Sequence, residues 1–130
     1  MIKKSKKFKL EYADMHCLLA IYTVNSDYRL AWLLNVALDI QMQREENTDE
    51  ISLFSDRKSI APIQFMLISN KQHIKRLFPQ YEQVDYFFKI FNASNELIVE
   101  IVAKINQLEL VSACSILRED AKLMKALNRL

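Results

Sequence analysis

Hydrophobic and polar positions follow two different periods along this chain, and the changes of period mark its elements. Met15–Val24 (MHCLLAIYTV) is apolar on both alternations, which predicts a strand covered on both faces. The period then becomes helical. Asp27–Asp39 places Leu30, Leu33, Leu34, Ala37 and Leu38 on one stripe, with Tyr28, Trp32 and Val36 on a second stripe beside it. The polar face left over is narrow, so this helix is expected to be covered on more than one side. Ser26 is placed to cap it, with Asp27 in the first turn, where the helix dipole favours an acid.

Ile40–Arg44 and Ile51–Phe54 read as short strands, separated by the polar turn at 44–50. A second turn at 56–59 leads to Pro62–Ser69, where Ile63, Phe65 and Leu67 alternate with Gln64, Met66 and Ile68. The short connections predict an antiparallel meander. Residues 70–78 read as one helical turn or a loop, stopped by Pro79. Val84–Phe91 is a strand with Val84, Tyr86, Phe88 and Ile90 on one face. Ser94 or Asn95 caps a helix over 95–107, whose stripe is Leu97, Ile98, Ile101, Val102, Ile105 and Leu108, with Glu96, Glu100 and Lys104 toward water. Leu110–Leu117 is a final strand. Arg118–Leu130 reads as a short terminal helix with Ala121, Met124 and Leu127 inward. The order β-α-β-β-β-β-α-β-α predicts an α+β fold: a mostly antiparallel or mixed sheet with two main helices packed on it. If the strands at 84–91 and 110–117 share one sheet, the unit they form is expected to be right-handed.

Length and composition sharpen this picture in three ways. At 130 residues the chain suits one domain, 10–130, behind a basic arm at 1–9. The arm holds Lys3, Lys4, Lys6, Lys7 and Lys9, which leave 13 basic against 16 acidic residues in the rest, a net of −3. It reads as a solubilising tail dispensable for folding, or as a nucleic-acid contact without arginine to give specificity. No apolar run is long enough to span a membrane and nothing resembles a signal peptide, so a cytoplasmic protein is expected. Cys17 and Cys114 sit in apolar runs and read as reduced, buried thiols.

The third point is that the chain contains no glycine. Phosphate loops, dinucleotide fingerprints and glycine-flanked serine elbows are thereby excluded, because each requires glycine's backbone freedom. Positive φ angles must fall to other residues, with Asn47, Asn70 and Asn92 the candidates near element ends. His16 and His73 are the only histidines and lack metal-ligand spacing. His16 adjoins Cys17, but neighbours on a strand point to opposite faces, so they form no catalytic pair. No cofactor or metal is expected, and no catalytic residue is identified.

Two small clusters remain. Asp27, Tyr28 and Arg29 open the first helix, with Trp32 one turn on, and Asp85 and Tyr86 open the late strand. They read as a cap, packing aromatics and an ion pair, or as contacts to a ligand or partner. Arg29 is a candidate partner for Asp85; the rival reading is that Asp85 caps a turn after Pro79.

The segment FPQYEQVDY, residues 78–86, resembles the signature of the IPExxxVDY family, small proteins of Bacteroidota. Pro79, Val84, Asp85 and Tyr86 stand at signature positions, while Phe78 replaces isoleucine and Gln80 replaces glutamate. SDYRLAWLLN (26–35) and LISNK (67–71) are similar to further family segments in the same order. The resemblance implies a bacterial cytoplasmic protein and carries no catalytic residues with it. The leading functional expectation is a non-enzymatic binding or protein-interaction module, forming a homodimer through a sheet edge or a helix face. Its candidate binding residues are Asp27, Tyr28, Arg29, Trp32, Asp85 and Tyr86. The alternatives are a small-molecule regulatory domain resembling the ACT type and an RNA-binding sheet that uses the aromatics of VDYFFKIF. An enzyme has the least support.

Overall fold

A computed structural model describes residues 16–46, 52–56, 62–72, 75–76 and 81–117. The lysine arm, the expected terminal helix at 118–130, Asn47 and His73 lie outside the described residues. Ten elements occur in the order β1 (His16–Thr23), α1 (Asp27–Leu38), β2 (Gln43–Arg44), β3 (Leu53–Ser55), β4 (Gln64–Ser69), β5 (Lys71–Gln72), β6 (Lys75–Arg76), β7 (Tyr86–Phe91), α2 (Asn95–Asn106) and β8 (Val111–Ile116). Six strands form one antiparallel sheet in the order β2-β3-β4-β7-β1-β8. The α+β class read from the pattern is the one observed, and β2, β3 and β4 form the expected meander. Both helices make crossovers. The chain passes from β1 through α1 to β2 over three intervening strands, and from β7 through α2 to β8 over β1.

Alternation decides what each face holds. Leu19 and Ile21 of β1, Phe65 and Leu67 of β4, and Tyr86, Phe88 and Ile90 of β7 meet Leu30, Ala31 and Leu34 of α1 and Ile98, Ile101 and Ile105 of α2 in one core. The two helices therefore cover the same face. Phe65 stacks on Phe88 at 5.6 Å between ring centroids. The other face carries a second cluster of Leu18, Ala20, Leu53, Met66, Ile68, Val84 and Phe87, with Tyr81 set edge-on against Phe87. Lys89 is nearly fully buried there, with its ammonium 5.0 Å from the centroid of the Phe91 ring. β1 is buried on both faces, as its unbroken apolar run predicts.

Four expectations need correction. Val84 packs on the second face rather than with Tyr86, because β7 begins only at Tyr86 and alternation does not extend back past Asp85. Residues 71–72 and 75–76 pair as two short antiparallel strands, Lys71 with Arg76 and Gln72 with Lys75, where one helical turn or a loop was expected. The Asn70 carboxamide donates to the carbonyls of Tyr81 and Val84, which places residue 70 beside residues 81–84. The positive φ angles belong to Asp39, Asn92 and Leu110 among the described residues. Asn92 meets the expectation, whereas Asn70 is buried as that anchor. Finally, α1 is covered on one side only: Tyr28, Trp32 and Val36 are 63%, 58% and 65% exposed.

Both edges of the main sheet are capped in the same way. In β2 and β8 alternate residues turn their backbone groups away from the sheet. Asn35 of α1 accepts from the Met42 N–H at 2.9 Å and donates to the Met42 carbonyl at 3.2 Å, immediately before β2. Asn106 of α2 accepts from the Cys114 N–H at 2.9 Å and donates to its carbonyl at 3.1 Å, in the middle of β8. A carboxamide offers one donor and one acceptor, as a peptide does, so each asparagine stands where a further strand would pair. Neither thiol is in a disulfide; Cys114 is buried and Cys17 half-buried. Burial pushes the Cys114 thiol up to about 12, with the nearby Cys17 adding to the effect, and burial also raises Cys17.

Asn35→Ala and Asn106→Ala should each cost about 1–2 kcal/mol in urea unfolding, the loss of two hydrogen bonds at a half-exposed edge. Asn106→Ala should also increase aggregation, since β8 is the longer edge strand. Unchanged unfolding midpoints in both variants would show that the caps contribute nothing.

Candidate functional site

β1 and α1 are joined by only Val24, Asn25 and Ser26, and this connection gathers most of the residues of interest. Ser26 Oγ accepts from the Arg29 N–H at 3.3 Å and caps α1, as its residue type predicts. Asp27 accepts from the Tyr28 N–H at 2.8 Å and from Ser52 Oγ at 2.6 Å, which ties the first turn of the helix to the chain entering β3. Beneath this turn, the Thr23 N–H lies beyond the last backbone pair with β7. Asp85 Oδ2 accepts it at 2.9 Å, so a carboxylate continues the ladder where the backbone stops. Asp85 also donates its own N–H to the Ile21 carbonyl and accepts from Asn70 N–H through its carbonyl. Tyr86 OH, buried, donates to the Asn25 carbonyl at 2.9 Å.

Asn25 is buried and works outward from the same point. Its Nδ2 donates to Thr23 Oγ1 at 3.0 Å and to the Glu109 carbonyl at 2.9 Å. Thr23 Oγ1 in turn donates to the Leu110 carbonyl at 2.7 Å. The start of α1 is thereby fastened both to β7 and to the turn that precedes β8. Oδ1 of Asn25 has no hydrogen-bond partner in the described structure. Reversing the amide would not help, because its donors would then leave the Glu109 carbonyl.

The six candidate residues thus separate into three groups. Asp27, Asp85 and Tyr86 form the inner clamp: burial pushes the Tyr86 phenol up to about 12, and the carboxylates of Asp27 and Asp85 reinforce the shift. Tyr28 and Trp32 point away from it, on the outer face of α1; Tyr28 rests one ring edge on Phe54 at 5.2 Å between centroids. Arg29 lies on the flank, paired with Glu109 at 3.1 Å, both largely exposed. The expected Arg29–Asp85 pair is not formed. Asp85 is taken up by the end of β1, which its position in the sequence gives no means of foreseeing.

Two exposed apolar residues escaped the list of candidates. Val36 continues the line of Tyr28 and Trp32 along α1 and is 65% exposed, and Val24, in the connection before the helix, is 78% exposed. The signal was the charge pattern: residues 30–38 contain no charged side chain, and their one polar residue, Asn35, is committed to Met42. The outer side of α2, by contrast, carries Glu96, Glu100 and Lys104, all exposed. Among the described residues no three His, Cys, Asp or Glu side chains come together to hold a metal, and no helix is long and apolar enough to cross a membrane.

Removal of the Asp85 carboxylate should cost about 1.5–3 kcal/mol, the range for a hydrogen bond to a charged group. Arg29→Ala should cost about 0–1 kcal/mol, as for exposed ion pairs. The double variant should show additive effects in chemical denaturation; a coupling above about 0.5 kcal/mol would mean that the two side chains interact after all. The raised phenol of Tyr86 adds a pH signature. Between its ordinary value near 10 and its folded value of about 12 the folded state holds the proton more tightly than the unfolded chain. Its contribution is therefore complete below pH 10 and lost as the pH rises to 12. Melting temperatures from pH 9 to 12 should fall more steeply for the wild type than for Tyr86→Phe, and parallel curves would show that folding does not raise the phenol.

No family model, curated protein or solved structure matches this chain.

Proposed function

We propose that this chain is a non-enzymatic protein-interaction module that presents the outer face of α1 to a protein partner. The observation that carries the reading is the contrast between the two helices. They pack on one face of one sheet, yet α2 turns Glu96, Glu100 and Lys104 to water together with Val99, whereas α1 turns Tyr28, Trp32 and Val36 with no charge from residue 30 to 38. Exposed apolar residues scattered singly need no explanation, but an aromatic-rich line at four-residue spacing, with no charge in it, has the composition of an interface centre.

The clamp fits this role. Asp85 contacts the backbone at the end of β1 and Tyr86 that of the β1–α1 connection, so in this reading they position the helix and do not themselves touch the partner. The RNA alternative draws less support from β7, where Tyr86, Phe87 and Phe88 are buried.

A photoreactive amino acid placed at position 32 should form a protein–protein adduct in cells of the source organism, while the same residue at position 100, on the outer side of α2, should not. Equal labelling at both positions, or none at 32, would overturn the proposal.

A further inference from the structure

We infer, independently of the interaction reading above, that the turn at residues 107–110 is a strained latch. It opens while the rest of the fold stays intact, and so releases the start of α1 from β8 but not from β7. Four observations meet at this turn.

The first is strain. Among the described residues, positive φ falls to Asp39, Asn92 and Leu110. The first two carry short polar side chains that tolerate the left-handed region, whereas a leucine is disfavoured there. Leu110 is also 57% exposed, so burial of its side chain offsets little of that cost.

The second is a break in the ladder. Tyr22 pairs with Ala113 but Thr23 pairs with Val111, so Ser112 has no counterpart on β1. Such a bulge interrupts the pairing, and it separates the turn and Val111 from the continuous part of β8 at 113–116.

The third is how the turn is held. Side chains at the end of β1 and in the connection after it bind its last two carbonyls: Thr23 Oγ1 donates to Leu110 at 2.7 Å and Asn25 Nδ2 to Glu109 at 2.9 Å. The Glu109 carboxylate adds an ion pair with Arg29 at 3.1 Å, largely exposed, where such pairs contribute little. The fastening to β7 is of another kind. Tyr86 OH is buried against the Asn25 carbonyl, and Asp85 holds the Thr23 N–H with a charge-assisted bond.

The fourth is Asn25. Its Nδ2 donates to Thr23 Oγ1 and to the Glu109 carbonyl, and its Oδ1 is left buried without a partner. An unpaired buried acceptor is costly. Opening of the turn frees the carboxamide to turn to water and lets Leu110 return to negative φ, so both costs fall on the closed state. A ligand that prefers one state of the turn acts on the start of α1 through it.

Native-state hydrogen exchange of the full chain, followed by NMR where closing outruns exchange, tests the latch. The Val111 N–H, bonded to the Leu108 carbonyl, should exchange through an opening insensitive to low denaturant. It should do so at least about a hundredfold faster than the amides of Leu19 and Phe88 in the central strands. The Thr23 N–H, held by Asp85, should stay with the slow group. Leu110→Asn should slow exchange at Val111 about fivefold or more, the lower end of the left-handed penalty for a leucine. Thr23→Val, which lacks the hydroxyl that binds the Leu110 carbonyl, should speed it. If Val111 exchanges only together with Leu19 and Phe88, the turn does not open by itself. If Thr23 exchanges with Val111, the fastening to β7 opens too, and if Leu110→Asn changes nothing at Val111, the turn is not strained. Each of these three results overturns the inference.

Discussion

The structure depends on joining β1 to α1 in three residues without glycine. A strand buried on both faces has to end, turn and start a helix over its own sheet, and each backbone group exposed by that turn needs a partner. Side chains supply them. Asp85 takes the last N–H of β1, Tyr86 takes the Asn25 carbonyl, and Asp27 and Ser26 take the N–H groups of Tyr28 and Arg29 in the first turn of the helix. The same knot reaches the turn before β8, where Leu110 has φ of 63°. A leucine in that region is disfavoured by roughly 1–2 kcal/mol. The hydrogen bonds from Thr23 Oγ1 to the Leu110 carbonyl and from Asn25 Nδ2 to the Glu109 carbonyl hold the turn against that strain. A single polar cluster therefore fixes the start of α1, the start of β7 and the entry to β8.

Once this junction is set, the rest of the architecture has little freedom. α1 must cross three strands to reach β2, and α2 must cross β1 to reach β8, so both lie on one face and share one core. Each helix then delivers an asparagine to the edge strand that follows it. Asn35 and Asn106 sit seven and eight residues before the backbone they cap. This recurrence links topology to surface chemistry: a crossover that ends at a sheet edge brings the last turns of its helix beside that edge, where a short carboxamide can reach it.

The strands and helices with clear periods were legible in the sequence, and the reason is burial. Phe65 against Met66, or Ile98, Ile101 and Ile105 on one helical stripe, record which side faces the core. Contacts that depend on where a chain turns were not legible. Val84 reads as part of the β7 alternation until the structure shows the strand starting two residues later. The strands at 71–72 and 75–76 carry no apolar period at all, and the two distant carbonyls that Asn70 holds leave no mark in the sequence. The candidate site divides along the same line. Tyr28 and Trp32 were recognised from residue type, but Asp85 could not be assigned to Thr23, because 62 residues separate them and any exposed cation was an equally good guess. Arg29 instead met Glu109, a residue that stood out in no pattern.

The polar residues on α1 show why its outer face is unusual. A helix lying on a sheet can place charges anywhere on its water side at almost no cost, and α2 does so at Glu96, Glu100 and Lys104. On α1 the charges stand only at the ends, at Asp27, Arg29 and Asp39, and the single polar residue between them is used by the sheet edge. Folding does not require this, since Tyr28, Trp32 and Val36 gain little from the core while most of their surface stays in water. Nor does the clamp, which holds the backbone of the helix start and is indifferent to what the outer face carries. The uncharged line on α1 is therefore a feature that the packing of the fold leaves unexplained, and it is the observation on which the proposed interaction reading rests.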